Sequence, residues 1–251
     1  MKHRFIIFLP IITAVMAFVP SQERNKPLNL ENFKLDFNIE NFYAPELAKA
    51  KLYREQRDAI LNGKDEKEFG DKLVDPWSFE TIAIDSVFID DILAPSSQLV
   101  GIQYNMKSHT MGDRLASYGN VFFEGLNMMQ NKKGEFMALV ASNQNEGPAP
   151  FKQLLAGIEK KHGKAKVTEE DFFGGYKVYS WQLADRLLAI SVKNNDKNNE
   201  LKLALDLDSI TVDTTKHPSI DTKLFIVTNS AKDAVSGNLK SGEWLYFDKV
   251  K

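Results

Sequence analysis

The chain of 251 residues contains no cysteine. That absence excludes disulfide stapling, thiolate nucleophiles, Cys-ligated zinc, iron–sulfur clusters and lipid attachment through an N-terminal Cys. Histidine is nearly as scarce, with 4 residues in all, so imidazole chemistry has few residues to draw on. An excess of one charge sign is also missing. The 32 Lys and Arg face 34 Asp and Glu for a formal charge of −2, without the basic surplus of a nucleic-acid binder, and no nucleic-acid partner is expected. Apolar runs are short, and after the N-terminus none reaches the roughly 20 residues of a membrane-spanning helix. What is present is a core-forming composition, 43% hydrophobic and 11% aromatic, which excludes an intrinsically disordered chain.

The N-terminus carries an address. Lys2, His3 and Arg4 precede an uncharged run from Phe5 to Ala17, and Val15-Met16-Ala17 places small-to-medium residues where a signal peptidase cuts. Residues 1–17 are therefore expected to be a cleaved signal peptide. A competing reading retains residues 5–19 as an uncleaved anchor, the only membrane contact expected, although Pro10 interrupts that run. Export without cysteine points to a bacterial periplasmic or extracellular protein rather than a disulfide-bonded ectodomain.

Along the remaining chain, residues 18–43 read as an extended arm and 44–251 as an α+β domain. A helix is expected over 44–62, with Pro45 in its first turn and Gly63 closing it. Period-two strands follow from Phe79 to Tyr104, and two apolar runs flanking Asn131–Gly134 form a hairpin. Phe151, Leu154, Leu155 and Ile158 mark one face of a second helix that ends at the cationic Lys160-Lys161-His162 and Gly163. A hairpin turning at Ala184-Asp185-Arg186 comes next, then strands over 201–208, 223–228 and 243–247. The expected fold is α+β: antiparallel β-meander sheets of about eight to ten strands with two principal helices on one side. The halves 44–142 and 150–251 each read as helix plus strands and are candidates for a duplication.

Chemistry-bearing residues are few. His109 lies near Asp113 and Arg114, a combination able to form an acid–base site, though the same residues occur in ordinary surface loops. His162 is placed at a helix C-terminus, where the dipole favours an imidazolium, and His217 sits in a polar loop before Pro218. Asp196–Glu200 lacks the glycine and distal Glu of a calcium loop, no metal-ligand spacing is found, and no metal or other cofactor is expected. Gly174-Gly175 precedes a strand rather than a helix, so it is not a phosphate cradle. Glu80, Asp85, Asp90 and Asp91 include a conceivable carboxylate pair, but alternation alone turns many carboxylates outward. Serine-hydrolase signatures are missing.

The aromatics are the remaining feature. Tyr179, Trp181 and Trp244, with Tyr176 and Tyr246, fall in the C-terminal strands. On an exposed sheet they would bind a peptide, glycan or protein, whereas the competing reading packs them against the Phe151/Leu154/Ile158 stripe. The first functional expectation is an exported, non-enzymatic binding or envelope-associated module with a protein, peptide or glycan partner. The alternative is a cofactor-free periplasmic hydrolase using His109 or a carboxylate pair.

Overall fold

The structure, a computed structural model, describes residues 26–75, 82–89, 98–107, 114–145, 147–170, 176–194, 202–206, 209–213, 219–236 and 242–244. The signal segment, the expected strand start at Phe79, Glu80, Asp90, Asp91, His109, Asp113, Gly174-Gly175, Asp196–Glu200, His217 and Tyr246 lie outside these residues. In chain order the elements are β1 (Leu28–Asn29), α1 (Ile39–Leu61), β2 (Ile82–Ile89), β3 (Gln98–Lys107), β4 (Ala116–Tyr118), β5 (Val121–Phe123), β6 (Gly125–Gln130) and β7 (Phe136–Asn145). Then come α2 (Ala149–His162), β8 (Lys166–Glu170), β9 (Tyr176–Gln182), β10 (Arg186–Asn194), β11 (Lys202–Asp206), β12 (Ser209–Asp213), β13 (Ile220–Thr228) and α3 (Lys232–Ser236). Short 3-10 segments occupy Glu66–Lys72 and Gly242–Trp244.

This is an α+β fold on an eight-stranded antiparallel sheet of order β2-β3-β6-β7-β13-β10-β9-β8. The order divides at its centre: β2-β3-β6-β7 and β8-β9-β10-β13 are both four-stranded meanders, each preceded by a helix, and they meet along their last strands. Hairpin β4–β5 is inserted between the second and third strands of the first half, and β11–β12 between the third and fourth of the second.

Alternation of side chains builds the core from this register. Ile82, Met106, Leu126, Ala141, Leu224, Ile190, Tyr179 and Val167 form one apolar row across all eight strands. Both principal helices cover that face, as the amphipathic spacing of α2 predicts: Leu154 and Ile158 of α2, and Ile39 and Tyr43 of α1, are buried in one cluster with Met106, Leu126 and Leu224. The opposite face has a second core of Ala189, Phe225, Val140, Leu187 and Val227, closed by Ala231, Val235 and Trp244 of the C-terminal segment.

Two expectations change. The first helix begins at Ile39 rather than 44, because Asn38 caps it, its side chain accepting from the Asn41 N–H at 2.8 Å. Pro45 stands inside that helix, where it lacks the N–H that would reach the Asn41 carbonyl. Residues 28–38 lie on the core: β1 pairs in parallel with β4, Leu30 and Phe33 are buried, and rings run in contact from Phe136 through Phe33, Phe37, Phe42 and Tyr43 to Tyr104. Finally, residues 242–244 form a 3-10 turn rather than the start of a strand.

Candidate functional site

Trp181 and Trp244 belong to the two cores, at 4% and 3% exposure. Trp181 packs with Leu154 and Ile158 beneath α2 and donates its indole N–H to the Gly163 carbonyl at 2.8 Å. Tyr179 is half-buried, its ring centroid 5.5 Å from that of Phe151. Trp181 and Tyr179 thus pack with the Phe151/Leu154/Ile158 stripe, whereas Trp244 is buried on the opposite face of the sheet with Ala231 and Val235. Arg114 is exposed and lays its guanidinium 3.9 Å from the Phe122 ring centroid, a cation–π contact. Its expected companions His109 and Asp113 are outside the described residues. Asp85 is exposed on edge strand β2.

His162 stands in the last turn of α2. Burial, followed by the charges of Lys161 and Arg186, holds its imidazole below the ordinary value of 6.5. Two phenols shift the other way. Burial, with Glu31 contributing, pushes Tyr118 up to about 12. Burial and Glu40 raise Tyr104, whose hydroxyl donates to Glu40 at 3.3 Å. Gln130 also donates to Glu40, at 2.8 Å, so this trio fastens the first turn of α1 to the sheet.

The convergence of polar groups lies on the other face, in a place the sequence did not single out. Strand alternation turns Gln103, Asn105 and Lys107 of β3 away from the helices, while Ile102, Tyr104 and Met106 face them. Beside Lys107, one cross-strand row continues through Gly125 and Ser142 to Lys223. The middle positions carry no side chain and a small one, so the two lysines flank a low floor spanning three strand spacings, roughly 14 Å. Glu243 enters this notch. Its carboxylate lies 3.0 Å from Lys107 Nζ and 3.2 Å from Lys223 Nζ, and Lys223 also donates to the Glu243 backbone carbonyl at 3.0 Å. Burial pushes the Glu243 carboxyl up, but the ammonium groups of Lys223 and Lys107 outweigh it and hold the carboxyl below the usual range.

One row away, Asn105 stands directly opposite Asn127. Asn127 is 2% exposed. It donates through Nδ2 to Gln103 Oε1 at 3.4 Å, and Trp244 Nε1 donates to the same oxygen at 3.1 Å. The side-chain carbonyls of Asn105 and Asn127 are both buried and accept no hydrogen bond. Each such vacancy costs about 1–3 kcal/mol against solvation. The arrangement therefore sets two lysines on one internal carboxylate beside two acceptors that lack donors and are closed to solvent. Among the described residues no group of three or more His, Asp or Glu is placed to hold a metal ion.

What hid this site is sequence distance. Lys107 and Glu243 are far apart in the chain, and only the pairing of β3 with β6, β6 with β7 and β7 with β13 sets Lys223 on the same row. The one legible signal was the polar face of β3.

Comparison with known proteins adds no relative: no family model, curated protein or solved structure matches this chain.

Proposed function

We propose that this chain is an exported, non-enzymatic binding protein of the bacterial periplasm or exterior, built from two related helix-plus-meander halves. Its recognition surface lies around the exposed Lys107, at the margin of the sheet face opposite the helices. The observation that carries the reading is the pair of buried, unpaired carbonyls on Asn105 and Asn127. A native interior seldom leaves such acceptors without donors, and a ligand bearing N–H or O–H groups supplies them once the site opens, since both oxygens are closed to solvent in this structure. A peptide or glycan has that chemistry. The mirrored order of the half-sheets supports the two-halves reading, and the basic, apolar, small-residue order of residues 2–17 supports export.

Isothermal titration of residues 18–251 against a panel of acidic, basic and neutral extended peptides and soluble glycans tests this. Saturable binding by one class is expected, weakened about ten-fold or more in Asn105→Leu, which removes one acceptor. Equal affinity in the variant would move recognition off this face. The same preparation is assayed on ester, glycosidic and phosphoester substrates, and turnover that disappears in His109→Ala would replace the binding reading with hydrolysis.

A further inference from the structure

The eight-stranded sheet is open, and its two outer strands are finished differently. Strand β8 carries Lys166, Glu169 and Glu170 among its 5 residues, the kind of charged edge that discourages a further strand. Strand β2 has Asp85 as the one charge in its 8 residues and, among the described residues, pairs only with β3. Ile82 packs with the core beneath the helices, and Val87 with the core of the opposite face. Alternation therefore turns Ile84, Ser86 and Phe88 to the helix side. Ile84 and Phe88 remain exposed there, at 49% and 48%. We propose that β2 is a pairing edge for a second copy of this chain, joined antiparallel about a two-fold axis at Ser86, so that two eight-stranded sheets become one.

Three features support the proposal. The strand is regular: Val87 stands opposite Gly101 and Phe88 opposite Leu99, so the extra residue of the bulge is Val100 on β3, and β2 keeps an unbroken alternation. An edge of that kind presents a row of N–H and C=O groups that another strand can pair. The apolar pattern is also self-complementary. A dyad at Ser86 sets Ile84 of each copy opposite Phe88 of the other, closing two pairs of half-exposed side chains against each other. One strand supplies both members of each pair, so a second copy needs no chemistry that β2 lacks. Charge and length then choose this register over its neighbours. A dyad at Asp85 would bring the two carboxylates face to face, and one at Val87 would carry Ile84 past Ile89, where the strand ends. With the dyad at Ser86, each Asp85 meets Val87 instead. Pairing β2 with β8 of another copy would be head-to-tail and open-ended, and the charges of β8 oppose it. One strand per copy is a small contact, which places half-association at roughly tens of micromolar.

Sedimentation of residues 18–251 over a concentration series should show a reversible monomer–dimer equilibrium and no larger species. Ile84→Lys and Phe88→Lys should each weaken it about ten-fold or more, because pairing would bury the new charge. Val167→Lys on β8, at a residue 47% exposed, should leave it unchanged. The chain has no cysteine, so an introduced thiol finds only its own copy. Mild oxidation of Ser86→Cys should give a disulfide-linked dimer, whereas Asp85→Cys, which faces Val87 of the other copy, should stay unlinked. Circular dichroism establishes that each variant is folded, and the Ser86→Cys cross-link decides the matter even if a lysine variant does not fold. A chain that is monomeric up to about 1 mM overturns the proposal. So does a dimer that survives both lysine variants, one that Val167→Lys dissolves, cross-linking through Asp85→Cys in place of Ser86→Cys, or association that grows without closing.

Discussion

Trp181 donates its indole N–H to the carbonyl of Gly163, the residue that ends α2, over 2.8 Å. One side chain thus joins the central sheet to the C-terminus of the helix that covers it. Its ring is buried with Leu154 and Ile158, while Gly163 itself is exposed. Water can replace the lost donor in Trp181→Phe, so that variant should lose at most about 1 kcal/mol. Trp181→Ala removes the ring as well and should cost about 3–5 kcal/mol. Chemical denaturation of the two variants separates bond from packing, and near-equal losses would mean that the hydrogen bond carries the contact.

Gly101 and Gly125 both sit in strands, both are closely approached, and they should respond differently to alanine. A Cβ at Gly101 would lie 2.3 Å from the backbone oxygen of Gln130, which the sheet holds in place. At Gly125 the atom at 2.3 Å is Ser142 Oγ, which can turn away by rotation of its side chain. Gly101→Ala should therefore destabilise by about 1–3 kcal/mol and Gly125→Ala by less, with Ser142→Ala restoring the latter. Urea melts of the three variants check the order. A larger loss at Gly125 would show that its floor is held as rigidly as a backbone.

Much of the scaffold was legible because its signals are local. Alternation marked β9 and β10, Gly134 at φ +79° marked the β6–β7 turn, and the spacing of Phe151, Leu154 and Ile158 marked α2. The start of α1 was misread because Pro45 resembles a first-turn residue, while the true cap, Asn38, lies seven residues earlier within an apolar, half-alternating stretch. The small sheet was hidden for another reason. Strands of two or three residues have no period to read, and Leu28 finds its partner at Ala116 only through the tertiary fold. The candidate site is less local still, since Gln103, Lys107, Lys223 and Glu243 acquire a common meaning only from register.

His162 sets a helix dipole against two cations and burial. The dipole favours the imidazolium, but burial, Lys161 and Arg186 disfavour it, and the net direction is below 6.5. The fold thus prefers the neutral ring, and the unfolded chain binds more protons below that value. The contribution of His162 to stability is complete above pH 6.5 and is lost as pH falls through the lowered folded value. An NMR titration should give a midpoint below 6.5 in wild type. Lys161→Met should raise it without reaching 6.5, because burial and Arg186 persist. A wild-type midpoint above 6.5 would return control to the dipole.

Glu243 supplies the corresponding test for the notch. Burial opposes its ionisation, yet Lys223 and Lys107 hold its carboxyl below the ordinary 4.5. A carboxyl lowered on folding contributes stability that is complete above its unfolded value and is lost as pH falls through the folded one. Gln has nearly the shape of a protonated Glu, so Glu243→Gln is the reference in which this contribution is removed at every pH. Thermal melts should show wild type ahead of Glu243→Gln by a constant margin from pH 7 down to about 4.5. The margin should narrow at lower pH and close once the carboxyl is protonated in both states. Added salt should trim it further, since the Lys107 side chain faces solvent whereas Lys223 is 17% exposed. A margin unchanged through the acid range would mean that Glu243 acts through its shape and backbone carbonyl alone.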